Sequence, residues 1–109
     1  MSNSQNLVKI TDENFEELIN GEKPVLVDFY TDWCGPCKML SPIIAALADD
    51  FKDKVVVGKL NAEENPQTSE TYEVMSVPTV YLFKNGGAVE KSVGLISKDR
   101  LKDLIEKHL

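Results

Sequence analysis

The segment Val25-Leu26-Val27-Asp28-Phe29-Tyr30 constrains this chain more than any other. It is too short for a helix and rich in β-branched and aromatic residues. It is also apolar on both faces, apart from Asp28. A strand with that pattern lies inside a sheet covered on both sides. The flanking sequence supplies the cover. Phe15, Leu18 and Ile19 recur at helical spacing behind the helix-start residues Thr11 and Asp12, and Gly21 and Pro24 end that helix. Leu40, Ile43, Ile44, Leu47 and Phe51 predict a second helix from about Cys34 to Phe51, with Pro42 inside it as a kink. Lys54–Leu60 reads as a second buried strand, and Asn65–Tyr72 as a short helix opened by Pro66. Thr79–Phe83 is a third strand, and Asn85-Gly86-Gly87 turns it into a hairpin with Ala88–Val93. Ser97 then caps a last helix with Asp99 in its first turn, where Leu101, Leu104, Ile105 and His108 share a face.

Strands and helices alternate first, and a hairpin and a helix close the chain. The predicted class is α/β: a central mixed sheet with helices on both faces. No repeat, low-complexity tract or linker interrupts residues 1–109, so a single domain is expected.

Charge and length exclude several functions. Twelve basic against eighteen acidic residues leave a net charge of −6, which repels phosphates, so neither nucleic acid nor an anionic membrane is an expected partner. The uncharged stretch Met39–Ala48 is too short to span a bilayer and contains Pro42. Met1–Asn6 lacks the basic start and apolar run of a secretory signal, so the expected compartment is the cytoplasm. In a reducing compartment two cysteines make a poor structural staple.

Both cysteines fall in Trp33-Cys34-Gly35-Pro36-Cys37, where the central strand gives way to the long helix. Residues three apart on a helix are neighbours, so the two sulfurs can bond without rearrangement. Cys34 sits where helix N–H groups lack partners and the macrodipole is positive, which favours a thiolate and makes it the attacking sulfur. Cys37, a turn deeper, waits as a thiol until it attacks a mixed disulfide. Pro36 loses no hydrogen bond in a first turn, and Gly35 lets a substrate chain approach Cys34. Trp33 places a large apolar face beside the sulfur, suited to holding a protein chain. Structural zinc needs four ligands, and the chain offers two cysteines and the distant His108, so no resident metal is expected. An iron–sulfur cluster shared between two chains stays open on the residues alone. No nucleotide-binding fingerprint is present, so no cofactor is expected.

The segment Asp28-Phe29-Tyr30-Thr31-Asp32-Trp33-Cys34-Gly35-Pro36-Cys37-Lys38 resembles the active-site region of the thioredoxin family. Val77-Pro78-Thr79, Phe83-Lys84-Asn85-Gly86 and Val93-Gly94 follow at that family's spacing, and the resemblance runs from about Leu7 to Leu109. It implies the thioredoxin fold and a protein-disulfide reductase. By pattern alone Asp28 is either a satisfied polar group or a buried carboxylate of raised pKa. The resemblance implies the second, with Asp28 taking the proton from Cys37 directly or through one water. Lys59 by pattern snorkels outward; the resemblance places it near Asp28 as a modulator. Pro78 by pattern is a strand-start proline, and the resemblance implies a cis bond after Val77 facing the cysteines. It also implies that Val77 pairs with an extended substrate, and that Gly94 and Leu95 border the same groove.

Tyr30 stands where the family commonly has tryptophan, and Asp32 adds a negative charge beside Cys34 that opposes the helix dipole. Met39 and Met75 read as packing residues, with Met75 near the groove rim, and His108 as an exposed residue at a helix end. The expected function is dithiol–disulfide exchange on client proteins by a monomer, recycled by an NADPH-dependent thioredoxin reductase. Two alternatives compete: an oxidant or isomerase, and a binding module or accessory subunit whose redox chemistry is incidental.

Overall fold

The computed structural model describes residues 4–109. Met1–Asn3, the start of the segment read above as lacking a secretory signal, lie outside them. The elements run β1 (Leu7–Lys9), α1 (Phe15–Ile19), β2 (Val25–Tyr30), α2 (Gly35–Asp50), β3 (Val56–Asn61), α3 (Pro66–Thr71), β4 (Thr79–Lys84), β5 (Gly87–Val93) and α4 (Lys98–Glu106). The strands form one sheet in the order β1-β3-β2-β4-β5, which puts the apolar segment β2 at the centre. β1, β3 and β2 are parallel, whereas β4 pairs antiparallel with β2 and with β5. The expected mixed sheet is the observed one.

Alternation along β2 builds both cores. Val25, Val27 and Phe29 pack with Phe15 and Ile19 of α1 and with Phe83 of β4. Aromatic rings dominate there: Phe15 meets Phe83 edge-on at 5.1 Å between centroids, and Tyr72 meets Phe83 at 5.0 Å. Leu26 turns the other way, toward Leu40, Ile44 and Leu47 of α2 and Leu101 and Ile105 of α4. By the same alternation Asp28 and its register partner Lys59 face α2. The polar residue of the central strand is thus aimed at the helix that carries the cysteines.

Local signals explain the differences from expectation. β1 was not anticipated, because three residues, two half-buried and one exposed, carry too little alternation to register as a strand. It pairs with β3 where Gly58 leaves room. A Cβ on Gly58 would lie 2.6 Å from Ile10 Cγ1 and 2.7 Å from the Val8 carbonyl oxygen, so only glycine fits. β3 starts at Val56 rather than Lys54, because the Lys54 and Val55 N–H groups close the turn onto the Phe51 carbonyl. Asn14, not Thr11 or Asp12, precedes the first turn of α1. Asp12 instead caps α3, accepting the N–H groups of Gln67 and Thr68 and the Thr68 hydroxyl.

Three side chains depart from their reading. Met39 is 63% exposed and Met75 92%, so neither packs in the core. His108 is not free at a helix end: its Nε2 lies 2.7 Å from Glu90 Oε2, and Lys84 Nζ donates to its carbonyl. The C-terminal turn lies against β4 and β5, which draws the ring onto that acid.

Candidate active site

β2 and β3 run parallel, so their carboxyl ends open on the same edge of the sheet, where ligands of α/β folds gather. From β2 the chain turns through Thr31, Asp32 and Trp33 into α2, with Cys34 as the N-cap in extended conformation. Its sulfur accepts the Cys37 N–H at 3.2 Å, one of the amides that an α-helix start leaves without a backbone partner. Pro36 occupies the first turn, as its missing N–H allows. Cys34 and Cys37 are joined as a disulfide with Cα atoms 5.2 Å apart. Around Gly35 the position of an added Cβ is open space.

The two sulfurs present different sides. A groove of about 570 Å³ runs past Cys34, with Trp33 and Pro36 on one wall and Val74, Met75 and Val77 on the other. Trp33 is 70% exposed, and its Nε1 donates to Glu63 Oε1 at 2.9 Å, which fixes the ring beside the groove. The Val77 carbonyl oxygen lies 3.6 Å from Cys34 Sγ, and the Val77–Pro78 bond is cis. Gly94, at φ +93, donates its N–H to the Pro78 carbonyl and so stands behind that bond. Neither Gly94 nor Leu95 lines the groove, and Leu95 is half exposed.

Cys37 lines a separate cavity of about 130 Å³, together with Tyr30, Asp32, Ser41 and Lys59. Asp32 therefore belongs to the back of the cysteine pair rather than to the groove, and Asn61 Nδ2 donates to it at 3.4 Å. Burial, then the charges of Asp32 and Glu64, push the Tyr30 phenol up. Asp28 is fully buried, and neither carboxylate oxygen has a hydrogen-bond partner among the described residues. Burial pushes its pKa up to about 7, against the opposing pull of the Lys59 charge. Lys59 does not snorkel outward. Its Nζ donates to Ser41 Oγ at 2.9 Å and lies 4.3 Å from the Tyr30 ring centroid.

Glu63, Val74 and Ser41 belong to the site and were not anticipated. A signal existed for Ser41, which is four residues after Cys37 and so on the same helical face. Glu63 lies two residues beyond β3, on the edge where Cys34 emerges, but that neighbourhood requires knowing that β2 and β3 are adjacent and parallel. Among the described residues no group of three or more His, Cys, Asp or Glu is placed to hold a metal ion, and no helix is long and apolar enough to cross a membrane.

Similarity to known proteins covers most of the chain. The family model named Thioredoxin matches residues 6–107. The thioredoxin of Staphylococcus haemolyticus (strain JCSC1435) is 48% identical over 104 residues, covering 94% of this chain and 98% of its own. That of Alicyclobacillus acidocaldarius subsp. acidocaldarius is 47% identical over 93 residues, covering 85% and 89%. That of Buchnera aphidicola subsp. Acyrthosiphon pisum (strain APS) is 42% identical over 104 residues, covering 94% and 96%. Identity of this extent spans both cores as well as the cysteine segment, and on it the chain belongs to the thioredoxin family, its bonded cysteine pair performing dithiol–disulfide exchange.

Proposed function

We propose that the chain, working as one domain and as a monomer, reduces disulfides of client proteins in the cytoplasm and is itself reset by an NADPH-dependent thioredoxin reductase. The observation that carries this reading is the division of the two sulfurs, Cys34 on an open groove and Cys37 behind it. In the reduced protein the Cys34 thiolate attacks one sulfur of a client disulfide. A mixed disulfide forms, and the other client sulfur leaves as a thiolate. Cys37 then passes its proton, directly or through one water, to the Asp28 carboxylate and attacks Cys34 Sγ. The Cys34–Cys37 bond forms, the second client sulfur leaves, and two electrons have passed to the client.

A group with a pKa of about 7 is partly ionised at neutral pH, so Asp28 can accept that proton and release it again. Lys59 modulates Asp28 from the neighbouring strand. Trp33, Gly35, Pro36 and Val77 receive the client segment, with Pro78, Gly94 and Leu95 flanking them. An exposed apolar wall beside an open backbone suits an extended chain better than one particular side chain.

The test is insulin-disulfide reduction, driven first by dithiothreitol and then by NADPH with thioredoxin reductase. Acceleration in both assays is expected, and the Cys37→Ser variant should accumulate client-linked mixed disulfides through Cys34. No acceleration in either assay overturns the reading. A partner complex that survives Cys34→Ser with Cys37→Ser favours the binding-module alternative.

A further inference from the structure

The cavity behind Cys37 holds an arrangement that the exchange reaction does not by itself require. Asp28 and Lys59 are register partners on adjacent strands and project to the same face, so an ion pair between them is the simplest outcome. No such hydrogen bond forms: both Asp28 oxygens are without a partner among the described residues. The Lys59 ammonium is occupied elsewhere, donating to Ser41 Oγ at 2.9 Å and lying 4.3 Å from the Tyr30 ring centroid. A cation over an aromatic face is attracted by the ring quadrupole, and more strongly where water is partly excluded. Lys59 and Tyr30 are both only partly exposed. We propose that Ser41 and Tyr30 are positioning residues, which together hold the Lys59 ammonium at the wall of the back cavity and keep it from pairing with the Asp28 carboxylate.

The elements packed around the pair are consistent with a two-point anchor. Ser41 lies one turn beyond Cys37 on α2, so the helix that presents the resolving sulfur also presents the hydroxyl. Tyr30 ends β2, two residues after Asp28, on the same face of that strand. Beside Asp28, β3 contributes its register partner Lys59 and β4 the apolar Val80, while Cys37 and Ser41 of α2 line the back cavity together with Lys59. Around Lys59 the further charged groups are Asp32 and Lys38 on the back cavity, and Lys9, its register partner on β1. Asp32 accepts from Asn61, and neither Lys9 nor Lys38 forms an ion pair among the described residues. Asp28, the register partner of Lys59 on β2, has no hydrogen-bond partner among the described residues and is an acid to which a released Lys59 can turn.

The inference rests on the reading that Asp28 accepts the Cys37 proton, and the experiment separates the two. Release of client from the Cys34 mixed disulfide is followed from about pH 5 to about pH 9. In the parent protein the rate rises with ionisation of Asp28. In the Ser41→Ala, Tyr30→Leu double variant, the freed ammonium stabilises the carboxylate, and this rising limb moves to lower pH by about one unit. Ser41→Ala alone, which removes a single oxygen atom, moves it part of the way. Ser41→Thr and Tyr30→Phe, which keep the hydroxyl and the ring, leave it in place. In a Lys59→Met background the same double substitution adds no further shift, an outcome that mere loosening of the packing would not give. An unmoved limb in the double variant, or an equal shift in the Lys59→Met background, overturns the anchor. In Asp28→Asn the limb disappears. A limb that persists there overturns the Asp28 reading, and the anchor with it. A limb lost in Asp28→Asn but unmoved in the double variant overturns the anchor alone.

Discussion

Asp28 shows how one residue can set conflicting demands on stability and chemistry. An unfolded chain ionises this carboxyl near 3.8, whereas in the folded protein burial delays ionisation to about 7. Between those values folding takes up a proton, so stability falls as pH rises from about 4 to about 7 and then levels off. Asn in its place has the shape of the protonated acid and no charge to bury. Asp28→Asn should therefore match the parent below about pH 4 and exceed it by roughly 4 kcal/mol well above pH 7, as urea unfolding at several pH values would show. The same variant should slow the resolving step. At this scale the cysteine segment was legible because Trp33-Cys34-Gly35-Pro36-Cys37 is contiguous. Asp28 was legible only as an oddity in an apolar run. The Ser41–Lys59–Tyr30 arrangement was not, since it joins three elements, and strand order is needed to bring Lys59 under α2.

Elements in this fold are fastened by residues far away in sequence. α3 has six residues and no side-chain cap from its own N-cap Asn65. Asp12 supplies that cap from beyond the end of β1, across more than fifty positions. Burial pushes the Asp12 carboxyl up, but the Thr68 hydroxyl and the Thr68 and Gln67 amides outweigh it and hold the group below its usual range. A depressed folded value means that the stabilisation is present above the unfolded pKa and is lost as pH falls through the folded one. Asp12→Ala should cost about 1 kcal/mol at neutral pH, the usual cost of losing an N-cap. Hydrogen exchange should quicken at the Gln67 and Thr68 amides, and the deficit should shrink in acid. Thr11 and Asp12 do carry a helix-start signal, but a local rule assigns it to the next helix in the sequence. The bond is made to a different helix, and no periodicity reports that. Strong, contiguous patterns such as α2 and β2 were readable to within a residue or two, whereas β1 needed its partner β3 to exist.

For the whole molecule the decisive fact is that one sheet serves two cores. Leu82 and Phe83 are adjacent on β4, and both are fully buried, yet Leu82 faces α2 and α4 while Phe83 joins the aromatic cluster beneath α1. Leu82→Ala should cost about 2–5 kcal/mol and Phe83→Ala about 3–5 kcal/mol. Because the sheet is shared, each should shift a single unfolding transition that far-ultraviolet and near-ultraviolet dichroism report alike. Two separate transitions would mean that the halves fold independently.

The order of strands in that sheet also bears on how the protein is made. β2, synthesised early, takes β4 as one neighbour, and the strand and helix that finish its burial come from the last third of the chain. A ribosome must therefore release nearly the full length before the central strand is enclosed. Until then the emerging polypeptide exposes this largely apolar hexapeptide, and with it both cysteines, to the surrounding cell.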